Sequence, residues 1–392
     1  MRAVLRVLSR RRFIAGLLAS TACSLPVPSE PAAPAPPVVG ATAGRAPIRI
    51  GLPVSLSGRF SREGQLQLAG YETWRQAANE QGGALVGTER LPVELTVADD
   101  QSEPLSAVRQ VEQLVRQEGI RLFLGSVSSQ IALAAATAAE RLGALTLAPD
   151  ASSPGVYGHG LQLLVSILPT EDHYFDGLAE LAAGVAPRAR PIGLLISDDP
   201  FYNTAAEGLR ARAAALGIRE VLVERFAAHE TDLTPQVGRL AQARPRCLIV
   251  AGGADRIRGL LPTLRELEFS PPMRALVPID PVGDGRLPPE LDGALSVDWW
   301  SPELRSSGPV LGSAREFAAR FRALHGYPPN SYTAAAAAAG LALQLGIERA
   351  DSTDPRLVRA SLGRLDVRTF WGRQAWDADG RARGEVPVLQ VQ

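Results

Sequence analysis

Short runs rich in valine, isoleucine and leucine each end in a loop of small residues, and each loop leads into a longer amphipathic or alanine-rich stretch. The first three are 48–57 (IRIGLPVSLS), 122–129 (LFLGSVSS) and 145–153 (LTLAPDASS). Apolar runs of this length bounded by turn residues read as buried strands, and the stretches between them have the period and length of crossover helices. This alternation predicts βαβ units around a mainly parallel sheet. In open sheets of that kind ligands sit beyond the carboxyl ends of the strands, where helix N-termini present free N–H groups to negative charge. These loops carry hydroxyls in place of nucleophile–base pairs, so a binding cleft is more legible than an active site.

The pattern predicts strand 48–54, helix 64–81, strand 93–98, helix 104–118, strand 121–124, helix 130–142 and strand 145–148, one doubly wound half. A second half follows: helix 172–183, strand 192–197, helix 204–216, strand 220–226, helix 233–242, strand 247–251, helix 256–267 and strand 274–278. Gly143 and Gly217 fall where left-handed helix stops are expected. After Trp300 come helices over 313–325, 333–349 and 354–362, and 373–392 reads as two short strands around an Asp-Gly turn.

At 392 residues, 46% of them hydrophobic, the chain can bury two cores. Basic and acidic residues balance at 41 each, so no net field draws it to nucleic acid. Every basic residue of that count is arginine, which excludes Schiff-base, pyridoxal and phosphate-loop lysine chemistry. The two cysteines, Cys23 and Cys247, cannot build a disulfide scaffold or thiolate metal centre, and Cys247 in CLIVAGG reads as a core thiol. No GxSxG or HExxH motif occurs, and His159, His173, His229 and His325 lack ligand spacing. No enzyme activity, cofactor or metal is expected.

Ser9-Arg10-Arg11-Arg12-Phe13-Ile14 precedes an apolar stretch, 13–22, too short to span a bilayer. It looks like a twin-arginine export signal over residues 1–22. Ser20 and Ala22 give a small-x-small cleavage pattern before Cys23, and Ala22-Cys23 also resembles a lipoprotein signal end, although Ser20 departs from it. Two readings stay open, a soluble periplasmic protein and one anchored through lipidated Cys23. Residues 23–46, rich in proline and alanine, are expected to be a tether rather than part of a core.

Taken in order, IGLPVSLSG, ADDQSEP, LGSVSSQIALA, APDASSP and the tail WGRQAWDADGRARGEVPVLQV resemble the type I periplasmic solute-binding proteins of branched-chain (Leu/Ile/Val) amino acid ABC transporters, over nearly all of the chain after Pro47. The resemblance implies an α/β fold of two doubly wound, Rossmann-like lobes joined by a three-crossing hinge that closes like a Venus flytrap. It places lobe 1 at 47–167 plus 300–372 and lobe 2 at 168–299 plus 373–392, with crossings near 167–169, 296–301 and 370–373. The C-terminal helices would return to the first lobe.

Carried over residue by residue, the family serine that grips a ligand carboxylate falls on Ser129, where a hydroxyl at the N-cap of a helix can bond an anion. The next contacts fall on Ala151 and Ser152, for ligand ammonium and carboxylate. Asp280 matches the acidic residue that pairs with the ammonium, and Tyr202 a tyrosine lining the cleft from the second lobe. Glu63 and Ala254 stand where the family has aromatic residues, and Ser128 where some members have a cysteine. With Arg59, Arg62 and Asp255, these changes suit a polar ligand and put leucine-like specificity in question. Asp99 and Asp100 read as a strand-to-helix connection with Ser102 capping the next helix, and Trp299-Trp300 as packing near the hinge.

The resemblance implies capture of a small zwitterion, an amino acid or relative, and delivery to an ABC permease by a monomer that binds no nucleic acid. The rival reading is an envelope lipoprotein scaffold or regulator that uses the same lobes for contact with another protein.

Overall fold

The computed structural model describes residues 5–7, 46–185, 190–227, 229–278 and 291–392, with backbone alone at 5, 6, 254–256 and 258. Two sheets organise it. In the first, β1 (Ile48–Val54), β2 (Val93–Asp99), β3 (Leu122–Leu124), β4 (Leu145–Ala148) and β5 (Leu164–Ser166) are all parallel, in the order β2-β1-β3-β4-β5. The second repeats that order with β6 (Ile192–Ser197), β7 (Val221–Phe226), β8 (Cys247–Ala251), β9 (Met273–Val277) and β10 (Leu295–Val297), as β7-β6-β8-β9-β10. Two antiparallel strands extend its edge: β11 (Val388–Val391) on β10, and Leu5–Val7 on β11. Strands covered on both faces read as continuous apolar runs, which is why β1, β4, β6 and β8 were visible in sequence. The short strands 164–166 and 295–297 and the hairpin 84–91 were not, because three residues carry no period.

Helices α1 (Ser61–Glu80), α2 (Pro104–Glu118) and α3 (Ser129–Arg141) cross the first sheet; α4 (Asp176–Gly184), α5 (Pro200–Ala215), α6 (Thr234–Gln242) and α7 (Ala254–Glu266) cross the second. Helices α8 (Ala314–His325), α9 (Ser331–Ala350) and α10 (Pro355–Leu362) pack into the core of the first sheet, not the second. The alanine run explains how. Ala334 to Ala339 are all buried, and Gly70 of α1 and Gly340 of α9 let the two helices approach closely. A Cβ at Gly70 would lie 2.1 Å from the Thr333 carbonyl oxygen, and one at Gly340 would lie 2.2 Å from the Trp74 ring. Trp74 is wholly buried there, donating its indole N–H to Gln344 Oε1 at 3.0 Å.

Between the lobes the chain crosses through Trp300, buried in the first core, and Trp299, which packs against both cores. Trp300 packs on Phe317 of the first core and donates to the Phe370 carbonyl at 3.1 Å, while Trp299 meets Tyr174 of the second core at 4.7 Å. The tail also divides. Gly380 accepts from Ser166 N at 2.9 Å and Ala382 N reaches the Ser166 hydroxyl, so the Asp-Gly turn sits on β5 of the first sheet, and only Val388–Val391 enters the second. The expectation that everything from 373 onward joins lobe 2, as two strands around one turn, is corrected accordingly: Trp376 and Ala382 bridge across the turn, but Gly372–Ala375 pairs with Asp366–Thr369. Backbone groups at the open edge of β5 need partners, and the turn supplies them.

Gly340→Ala should destabilise the protein by roughly 1–3 kcal/mol, because the added methyl meets an immobile ring in a packed core. Urea unfolding of the variant beside the parent measures it.

Candidate functional site

In a 2-1-3-4-5 sheet the strand order reverses between β1 and β3, and the crevice beyond their carboxyl ends is where ligands bind. The loop after β1 is held by the acidic pair at the end of β2. Asp99 accepts from the N–H groups of Leu56 (2.9 Å), Ser57 (3.2 Å) and Gln101 (2.8 Å) and from the Ser57 hydroxyl at 2.6 Å. Burial alone would raise its pKa, but these bonds outweigh that and hold it below the usual carboxylate range. Asp100, fully buried, accepts from the Ser55 hydroxyl at 2.6 Å. The pair is therefore scaffolding, as expected. Ser102 is not the helix cap: its φ is 61°, and its hydroxyl closes the same loop by donating to the Ser57 carbonyl and accepting from Phe60 N, while Glu103 takes the N-cap position.

The loop after β3 enters α3 one residue earlier than the sequence suggests. Ser128, not Ser129, is the N-cap; its extended backbone lets its hydroxyl accept from Ile131 N at 3.3 Å. Ser129 is thereby released to the neighbouring turn, where its hydroxyl accepts from Ser153 N at 3.2 Å and keeps its own proton to donate. Ser129 and the Ala151–Ser153 turn after β4 are thus brought together. Within that turn Ala151 is buried and its carbonyl accepts from the Tyr157 hydroxyl at 2.8 Å. Ser152 is buried too, its carbonyl accepting from Glu171 N at 2.9 Å.

Tyr202 lies in the first turn of α5, behind the N-cap Asp199, with its ring edge-on to Phe201 at 5.1 Å. Its hydroxyl pKa is raised by burial and by the charges of Asp199 and Asp298, which sets the phenol near Asp298. Glu63 is half-buried in the first turn of α1. Ala254 and Asp255 open α7, their side chains outside the described residues, and Asp280 and Cys23 lie outside them altogether.

Four residues that sequence reasoning missed complete the walls. Asp150, at the end of β4, has its carboxyl pushed up to about 7, mainly by burial, then by the charges of Glu171 and Glu63. Glu171, on the crossing after β5, also rises to about 7, chiefly through burial, and is hydrogen-bonded by Thr204 of α5 and by Ser152, so it ties the first lobe's turn to the second lobe. Asp298, just before the tryptophan crossing, rises to about 6 through burial despite hydrogen bonds from Ser331 and from Trp299 N at 2.7 Å. Tyr332, at the start of α9, is raised most by Asp150, then by burial, Glu63, Asp298 and Tyr202. The only signal for them was position: an acid at the end of an apolar run, and a tyrosine opening a helix. Burial of Cys247 raises its thiol pKa well above the ordinary value, in keeping with a core role.

The family model for periplasmic binding proteins matches residues 47–392. The chain belongs to the periplasmic binding protein family. Among similar proteins, one named as an amino acid binding protein from Pseudomonas aeruginosa is 24% identical over 313 residues, covering 79% of this chain and 82% of that protein. An ABC transporter substrate-binding protein from Sphaerobacter thermophilus shares the fold with a TM-score of 0.71 at 20% identity, over 86% of this chain and 90% of that one. One from Desulfitobacterium hafniense, solved in complex with Leu, gives 0.68 at 23% identity, over 88% and 97%. These likenesses establish the two-lobed, type I architecture.

Because the folded state binds a proton on Asp150 more tightly than the unfolded chain, this residue's contribution is present below the unfolded value of 3.8 and is lost as pH rises towards about 7. Asp150→Asn should therefore raise the ligand-free melting temperature by several degrees at about pH 8 and change it little at about pH 4. Thermal melts of both proteins across that range provide the check.

Proposed function

We propose that this protein is an exported solute-binding component of an ABC transporter, capturing a small zwitterion, an amino acid or close relative, between its lobes and delivering it to the membrane permease. The observation that carries the reading is Ser129: a hydroxyl with a proton left to donate, at the mouth of α3 and beside the Ser153 turn. Hydroxyl, helix N-terminus and turn N–H groups suit a carboxylate, and the acidic wall suits an ammonium. The names of its relatives agree with this ligand class.

The ligand carboxylate docks first on Ser129 and the Ser152 turn. Glu171 and Tyr202 reach the ligand from the crossing and the second lobe, and Asp280 adds its charge from that lobe. A ligand held by both lobes binds the closed arrangement more tightly than the open one, and that difference shifts the hinge equilibrium. Its binding energy drives closure, and no bond need break. Export rests on the arginine pair of residues 10 and 11, and retention at the membrane rests on lipidation of Cys23.

Isothermal titration against a panel of amino acids and amides tests this reading. Ser129→Ala and Asp280→Ala should each weaken binding of the best ligand by roughly 1–3 kcal/mol, since each leaves a buried ligand charge one partner short. Absence of binding by any member would refute it. For export, replacing Arg10 and Arg11 with lysine should leave the unprocessed protein in the cytoplasm, read by cell fractionation.

A further inference from the structure

The turn after β4 is held at three consecutive residues, each by a different element. Ser153 N donates to the Ser129 hydroxyl of α3 at 3.2 Å, the Ser152 carbonyl accepts from Glu171 N at 2.9 Å, and the Ala151 carbonyl accepts from the Tyr157 hydroxyl at 2.8 Å. The peptides of this turn are trans. In a trans peptide the C=O and N–H of one plane point in opposite directions, so fixing a carbonyl aims the N–H that follows it.

The plane between Ser152 and Ser153 shows the rule: its carbonyl is tied to the crossing, and its N–H lands on Ser129. In the plane between Ala151 and Ser152 the carbonyl is tied to Tyr157, and the N–H of Ser152 meets no acceptor among the described residues. Ala151 is wholly buried and Ser152 is 6% exposed. An N–H left unpaired at that depth is rare and costly, so it points to an acceptor supplied from outside the chain. It lies one residue from the N–H that bonds Ser129, whose own proton is left to donate. Two such donors suit the two oxygens of a carboxylate.

What sets the Ala151 plane is Tyr157, on the 3₁₀ turn Pro154–His159, with its ring beneath the Arg381 guanidinium at 5.2 Å. Burial pushes its pKa up to about 12 against the opposing effects of Ser166 and Arg381, so the hydroxyl stays a donor at neutral pH. A phenylalanine at this position would fill the same space but leave the carbonyl free to turn, and the N–H of Ser152 would turn with it.

Resting on the solute-binding reading above, we infer that Tyr157 is a positioning residue of the solute site: by tying back the Ala151 carbonyl it sets the Ser152 N–H, beside the Ser129 hydroxyl, for the ligand carboxylate. Tyr157 acts through the turn and does not itself touch the solute.

The test is calorimetric titration of the full-length protein, refolded to remove bound solute, with the twenty amino acids and then with the α-carboxamide of the one that binds most tightly. Tyr157→Phe should weaken binding of that amino acid about tenfold and of its carboxamide less than about threefold, so that the preference for acid over amide falls. Because Ser129→Ala removes a donor to the same carboxylate, the double variant should lose less than the product of the two single losses. Equal weakening of acid and amide would show a packing role and overturn the inference, as would unchanged affinity for both or single losses that simply multiply. A variant that no longer gives a cooperative thermal melt would overturn it too, since a hydroxyl that only aims one turn is not needed for folding. Each of these outcomes leaves the solute-binding reading standing. If the parent protein binds none of the twenty, that reading fails and this inference fails with it.

Discussion

Parallel strands cannot be joined by a tight turn; each connection must cross a face of the sheet before the next strand begins. All the loops at the carboxyl ends therefore gather along one side, and two such sheets facing each other enclose a cleft. Everything functional in this protein follows from that convergence. Ser129, Asp150 and Glu171 are separated by crossing helices in sequence, yet they meet because β3, β4 and β5 end side by side.

The convergence brings a cost. A concave site excludes water from the groups that line it, and carboxylates so placed hold their protons near neutrality. Hydroxyls from Ser152, Thr204 and Ser331 offset part of that cost by hydrogen bonding. The loop after β1 shows the contrasting solution: Asp99 is satisfied by N–H groups and a hydroxyl, stays ionised, and serves only as structure.

The hinge depends on equally local packing. Trp300 is buried in the first core and Trp299 packs against both, which anchors this crossing in each lobe. Glu171 adds a polar link between the same two bodies. The role of Glu171 is not visible from its residue type, whereas the Trp299-Trp300 pair reads as packing near the hinge from the sequence as well.

The sequence by itself determined the strands with continuous apolar runs, the helices with clear periods, the glycine stops at 143 and 217, and the family pattern that marked Ser129, Ser152 and Tyr202. These are local signals, written in residues that are neighbours along the chain. Only the tertiary structure decided that Ser128 rather than Ser129 caps α3, that Gly380 rests on β5, and that the charges of Asp150, Glu63 and Asp298 act on Tyr332. A single acid at the end of a strand looks like a solvated charge until its neighbours are known. Its meaning is set by burial and by other charges that come from distant positions, and distance along a chain carries no information about either.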